Sequence, residues 1–357
     1  MFDACIIGGG GVAGAAITRE LALQGLKVIA IEKHDGACRE TSGLNSRVIH
    51  SGFHEMPGTL KANLARAGSH LMIEYARKHG IRLLESGMLI AVPHGSIRAG
   101  LWREASSLWH LWRQGRRQAV PFRFILTPSG IRRIAPVEAM GGIFIPAVCI
   151  VEIEALVESV ICEAKAAGAE FLFETEVTGI TATNRDHILQ TTGPEIQARI
   201  LINSAGLRAH EVSLMAGGPK YEIEFIRGDY YELDGGTDRW GIRTLVYPAM
   251  PPHSRSKGIH FGPRTDGRLY IGPSATPAFR EAPKEMFVDA ARKFLPDIRE
   301  TDLRWAYSGM RPKCGKDFTI RLERSQPPLV NLIGIDSPGL SSSMAIARHV
   351  AEIVRAA

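Results

Sequence analysis

The chain has 357 residues, 45% hydrophobic and 22% charged, with a net charge of +6 and a pI near 9.1. That length predicts two lobes rather than one core, and the ordinary composition excludes a disordered chain. The positive balance suits an anionic cofactor and substrate, whereas the absence of a Lys/Arg block or a nucleic-acid fold motif excludes a nucleic-acid partner.

In chain order, residues 2–7 read as a short buried strand, followed by glycines at 8–11 and an apolar helix through Leu23. The glycines interrupt the N-terminal apolar stretch, which predicts no export signal. Gly9, Gly11 and Gly14 fit the dinucleotide fingerprint, in which glycines permit a tight turn, close approach to a pyrophosphate and close helix packing. A second register, Gly8, Gly10 and Ala13, is allowed by the fourth glycine. The helix ends near Gln24-Gly25, and residues 26–31 form a second parallel strand closed by Glu32. A carboxylate there can bind ribose hydroxyls and would repel a 2′-phosphate, which disfavours NADP. The fingerprint alone fits FAD and NAD equally, since both carry an ADP half.

Leu101, Trp102, Ala105, Leu108, Trp109 and Trp112 recur at helical spacing among Arg98, Arg103, Arg113, Arg116 and Arg117. This pattern suits an amphipathic helix packed on its own domain, with contact to a membrane surface as the lesser reading. Residues 153–167 predict a helix with Leu156, Val157, Val160 and Ile161 on one face, and residues 170–173 a strand. Residues 199–203 form a further strand ending in Ser204-Ala205-Gly206, small residues that let backbone approach a ligand. From about 216 to 305, aromatic and β-branched runs between turn residues predict a mostly antiparallel sheet. The last strand, 329–334, leads into a helix over 342–355, with Ser341 or Ser342 available as its N-cap. No apolar run approaches the roughly 20 residues of a spanning helix. The cysteines Cys5, Cys38, Cys149, Cys162 and Cys314 show neither CxxC nor metal-ligand spacing, so no metal site is expected and a reduced, cytoplasmic setting is favoured.

The run Thr41-Ser42-Gly43-Leu44-Asn45-Ser46-Arg47-Val48-Ile49-His50-Ser51-Gly52, followed by Pro57-Gly58-Thr59-Leu60-Lys61-Ala62, closely resembles the flavin-contacting stretch of L-2-hydroxyglutarate dehydrogenases and oxidases, members of the D-amino-acid-oxidase-like FAD superfamily. Similar landmarks follow in order at Arg227-Gly228-Asp229-Tyr230-Tyr231, Val246-Tyr247-Pro248, Gly258-Ile259-His260-Phe261 with Pro263-Arg264-x-Asp266-Gly267, Gly309-Met310-Arg311-Pro312 and residues 334–342. Phe53-His54-Glu55 is also similar to glycerol-3-phosphate dehydrogenase and oxidase relatives.

The resemblance implies an α/β (α+β overall) fold: a Rossmann-like FAD-binding domain of residues 1–85, 150–215 and 306–357, with an inserted, mostly antiparallel β substrate domain of residues 86–149 and 216–305. It implies FAD as cofactor, contacted by Gly9, Gly11, Gly14, Glu32, Lys33, Thr41, Ser42, Asn45, Ser46, Val177, Ala205, Gly206, Gly309, Gly339, Leu340 and Ser341. Arg311 resembles the arginine that holds the substrate carboxylate, and its planar fork suits two-point oxyanion binding. His50 resembles a flavin-proximal histidine and His260 is its rival as base, with the choice between them open. Arg227, Tyr247 and Lys313 are secondary candidates for contacting the substrate.

The implied activity is oxidation of a small anionic 2-hydroxy acid resembling L-2-hydroxyglutarate, by hydride transfer to flavin. Electrons would pass to quinone, oxygen or another carrier, in the cytoplasm or with peripheral contact at the inner membrane face. Alternatives are a glycerol-3-phosphate dehydrogenase or oxidase, then an amine or amino-acid oxidase, then a flavin-binding protein without turnover.

Overall fold

The computed structural model describes residues 1–93, 109, 110, 112, 113, 115–117, 119–250, 254 and 257–357. Strand β1 (Phe2–Ile7) lies inside an eight-stranded sheet, with Ala4, Cys5, Ile6 and Ile7 buried. It pairs in parallel with β2 (Val28–Ile31) on one side and with Ile196–Asn203 on the other. Helix α1 (Val12–Leu23) makes the crossover between β1 and β2. Short apolar strands buried on both faces are what such a parallel arrangement requires.

Glu170–Leu172 extends the sheet beyond β2, and Ile196–Asn203 divides its pairing on the far side. Its first residues lie antiparallel to His187–Thr191, and its last run parallel to Pro328–Ile333. One hydrophobic core joins α1, α2 (Leu60–Lys78), Ile153–Ala166 and the final helix Gly339–Ala356 to this sheet. The start of α2 is secured twice: the Thr59 side chain accepts from Ala62 N–H, and the Asp317 carboxylate accepts from Leu60 and Lys61 N–H at 2.8 Å each.

The second sheet has nine strands and is antiparallel except where Leu245–Pro248 runs parallel to Met88–Pro93. Leu303–Lys313 pairs along its whole length with Glu224–Leu233, from Leu303 opposite Leu233 to Lys313 opposite Glu224. The chain therefore joins the first sheet again only at Thr319, beyond the division expected at residue 306. A third sheet of Val48–Ile49, Cys149–Val151 and Leu83–Leu84 ends immediately before His50.

Leu101, Trp102, Ala105, Leu108, Arg98 and Arg103 of the tryptophan-rich segment lie outside the described residues. Within the remainder, the Arg113 guanidinium sits 4.8 Å over the exposed Trp109 ring. Gly115 packs so closely that a Cβ there would fall 2.3 Å from the Phe53 ring and 2.9 Å from that of Phe122. Among the described residues, no helix is long and apolar enough to cross a membrane.

Candidate active site in a crevice lined by both sheets

A single crevice runs from the first glycine turn to the second sheet, with about 2180 Å³ between its walls, counting the open mouth. At one end it is lined by Gly8, Gly10, Gly11, Gly14 and Glu32. Glu32 is held against the turn because its carboxylate accepts from the backbone N–H groups of Gly10 and His34, at 3.1 Å each. The turn begins at Gly8, whose φ is 90°. A Cβ on Gly14 would lie 2.1 Å from the Gly8 carbonyl oxygen, so only glycine lets α1 approach β1 this closely. Gly9 is directed at Ala30 and does not line the crevice. The two registers read from the sequence are thus merged, with Gly8 turning, Gly10 and Gly11 facing the space and Gly14 packing.

Gly14→Ala is expected to cost about 1–3 kcal/mol, the usual range for overpacking, and to lower FAD retention. An unchanged Tm and full FAD content in the purified variant would contradict the packing role.

The middle wall is formed by Thr41, Ser42, Asn45, Ser46, Val177, Ala205, Gly206, Gly339 and Leu340. Ser42 Oγ accepts from Val12 N–H at 3.0 Å, so this hydroxyl caps α1 from a distant loop. The Asn45 amide donates to the carbonyls of Thr41 and Ser42 and its oxygen accepts from Arg47 N–H, which fixes the turn locally. Thr41 Oγ1 donates to the Met310 carbonyl and ties the turn to the second sheet. Lys33 also lines this region and pairs with Glu40 at 2.6 Å. Gly339 and Leu340 open the final helix, whose N-terminus favours negative charge.

At the far end the crevice is walled by His50, Tyr230, Tyr247, Lys257, His260 and Arg311. Arg311 donates to the Ser274 carbonyl at 2.9 Å and makes no ion pair among the described residues, which leaves its charge available to an anion. Tyr247 stacks on His260 with ring centroids 3.8 Å apart and stands edge-on to His50 at 6.5 Å. Burial holds His50 and His54 well below the usual histidine range, reinforced by the Lys257 charge. The same desolvation pushes His260 down to about 3. All three imidazoles are therefore neutral near pH 7. Burial raises the phenols of Tyr230 and Tyr247, so neither ionises to serve as base.

Among the described residues, His50 Nδ1 is buried without a hydrogen-bond partner, whereas His260 Nδ1 lies 3.2 Å from the Gly258 carbonyl. The carbonyl can only accept, so His260 carries its proton on Nδ1 and presents a lone pair at Nε2. Because the folded pKa values are depressed, the neutral forms persist to lower pH. The free-enzyme kcat/KM should keep its plateau as pH falls through 6.5, the ordinary histidine value. A required deprotonation with an apparent pKa of about 6–7 would contradict these assignments.

Several residues expected at the site have other work. Arg227 does not line the crevice, because its Nε donates to the fully buried Asp229 at 2.7 Å and Glu281 lies 3.7 Å from it. Lys313 lies two positions beyond Arg311 on the same strand and does not reach the crevice wall. Gly309 allows the loop to dock, since a Cβ there would fall 1.9 Å from the Leu44 carbonyl oxygen. Ser341 is no N-cap, as the helix begins at Gly339; its Oγ accepts from His50 N–H at 2.8 Å and donates to the Val48 carbonyl at 3.3 Å. It therefore positions His50 from behind.

Tyr230, Lys257, Gly258 and Asp336 are among the wall residues that the sequence expectations did not assign to the site. Lys257 pairs with Glu55 at 3.0 Å, and Asp336 pairs with the buried Lys61. Their signal was adjacency, since Tyr230 and Gly258 belong to landmarks, Lys257 directly precedes Gly258 and Asp336 sits in the closing 334–342 run.

Residues 3–353 match the family DAO, described as FAD dependent oxidoreductase. A glycerol 3-phosphate dehydrogenase of Caloramator mitchellensis is 28% identical, covering 99% of this chain and 74% of the relative. A mitochondrial L-2-hydroxyglutarate dehydrogenase of Arabidopsis thaliana is also 28% identical, covering 97% of this chain and 82% of the relative. An FAD-bound L-alpha-glycerophosphate oxidase structure from Mycoplasma pneumoniae superposes with a TM-score of 0.89 at 24% identity, covering 99% of this chain and 94% of that one.

Proposed function

Because the chain belongs to the DAO family of FAD-dependent oxidoreductases, we propose that it oxidises a small anionic 2-hydroxy acid, L-2-hydroxyglutarate or a close analogue, to the 2-oxo acid. The observation supporting this reading is that an arginine without a carboxylate partner and two neutral histidines meet at the end of the crevice opposite the glycine turn.

The residues fit the cofactor. The glycine turn offers a cradle without side chains, α1 directs its N-terminus toward it, and Glu32 stands where a ribose would lie. FAD, when bound, supplies the hydride acceptor. The protein does the rest. Arg311 takes two carboxylate oxygens in its fork and thereby fixes the orientation of the carbinol C–H. His50 accepts the hydroxyl proton at a ring nitrogen, while Ser341 holds its backbone. His260 and Tyr247, stacked together, form the wall beside it and exclude water. Electrons then leave to quinone, oxygen or another carrier.

Lys257 favours a second reading, because a further cation beside the histidines would help Arg311 hold a phosphate dianion. The substrate would then be glycerol 3-phosphate, as the name of the Caloramator relative says of that protein. Anaerobic addition of each compound to the yellow holoprotein separates the readings. L-2-Hydroxyglutarate should bleach the flavin band at lower concentration and faster than glycerol 3-phosphate; the reverse order would replace the first reading with the second.

A further inference from the structure

Arg264 is only 6% exposed, yet every partner it has among the described residues is neutral. Its guanidinium donates to the Ser46 carbonyl at 2.8 Å, the Asn45 carbonyl at 3.4 Å and the Tyr307 hydroxyl at 2.6 Å, and lies 4.6 Å from the Tyr270 ring centroid. The acidic residue nearest in sequence, Asp266, is occupied by Arg268 at 2.7 Å. Tyr307 passes the contact on, its hydroxyl donating to the Asn45 carbonyl at 2.8 Å. A buried cation is ordinarily paired, because desolvation is otherwise uncompensated. Here the charge is solvated only by dipoles and stays effective over several ångströms of low-dielectric interior.

Two features make that charge matter to the crevice. The carbonyls that Arg264 holds belong to Asn45 and Ser46, both of which line the wall. Its field also reaches the opposite wall, since it contributes, after burial, to keeping His260 unprotonated. The loop and the field have one source on the second sheet, directly after Pro263 of the strand that carries His260.

We propose that Arg264 is a positioning residue whose buried, unpaired charge raises the reduction potential of the bound FAD while its fork locks the turn at residues 45 and 46 onto the second sheet. Reduction adds negative charge to a flavin, so a fixed cation nearby favours the reduced form. This rests on FAD occupying the crevice and is independent of which substrate is oxidised.

The test is the two-electron midpoint potential of the full-length holoenzyme, measured by anaerobic dye equilibration without substrate, for wild type, Arg264→Lys and Arg264→Gln. Arg264→Gln should shift the oxidised-to-reduced equilibrium at least about tenfold toward the oxidised form, a fall of ~30 mV for a two-electron couple. Arg264→Lys, which keeps the charge and loses the fork, should stay within about threefold of wild type, roughly half that shift in millivolts. A glutamine variant with the wild-type potential, or a lysine variant shifted as far as the glutamine one, would overturn the proposal. If the glutamine variant cannot hold FAD, retention by the lysine variant supports the role of charge, and loss by both overturns it. Wild-type protein that binds no FAD would overturn this proposal together with the cofactor assignment, whereas failure with 2-hydroxy acids alone would leave it standing.

Discussion

Arg311→Met is expected to lower kcat/KM for the anionic substrate by about 10²–10³, with FAD content unchanged. The magnitude follows from losing a hydrogen-bonded charge contact in a desolvated site, about 3–4 kcal/mol, at 1.36 kcal/mol for each factor of ten. FAD should survive because the guanidinium supports only the Ser274 carbonyl and no element of the glycine turn. Most of the loss should appear in KM if the carboxylate is gripped equally throughout the reaction, and in kcat if the grip chiefly aligns the C–H bond. Arg311→Lys should recover part of the loss, since a point charge cannot reproduce the planar fork. A methionine variant with wild-type kcat/KM, measured by steady-state turnover with an artificial acceptor, would remove Arg311 from substrate binding.

His50→Ala should slow flavin reduction by about 10²–10⁴, the usual contribution of a positioned general base. His260→Ala should cost less. The distinction rests on hydrogen bonding: His260 is held by the Gly258 carbonyl and the Tyr247 ring, whereas His50 keeps a buried nitrogen with no partner and has its backbone fixed by Ser341. Anaerobic stopped-flow reduction of the two variants checks this. A slower His260 variant beside a nearly normal His50 variant would exchange their roles.

What the sequence made legible followed from pattern strength. The β1, α1, β2 unit was visible because apolar strand, glycines, helix and terminal acid occur in unbroken order. The strand at Ile196–Asn203 was recognised three residues late, because Gln197 and Arg199 point to solvent and break the apolar run that marks its buried end. Helix α2 escaped notice although Thr59 caps it, since its further support, Asp317, is more than 250 residues away. Strand Leu303–Lys313 was divided between domains because its register with Glu224–Leu233 is a tertiary fact with no local signature.

The site was legible in the same uneven way. His50, Tyr247, His260 and Arg311 were all expected, and all line one crevice. Arg227 could have been set aside from sequence, since residues two apart on a strand share a face and Asp229 stands ready to pair with it. Arg264 stood in a landmark run, but its role was not legible there, because an arginine before a turn reads as solvent-exposed until the carbonyls of residues 45 and 46 are seen against it. Ser341 read as a cofactor contact or a helix cap for a similar reason: its acceptor is the Val48 carbonyl on the strand before His50, and its donor is the His50 N–H.

In the proposed enzyme one crevice aligns FAD, an anionic substrate, Arg311 and His50. A crystal structure of the holoprotein with the 2-oxo acid product bound tests it most directly. The ADP half is expected against Gly10, Gly11 and Glu32, the product carboxylate in the Arg311 fork and the keto oxygen within hydrogen-bond reach of His50. Product bound away from Arg311, or FAD outside the glycine turn, would contradict it.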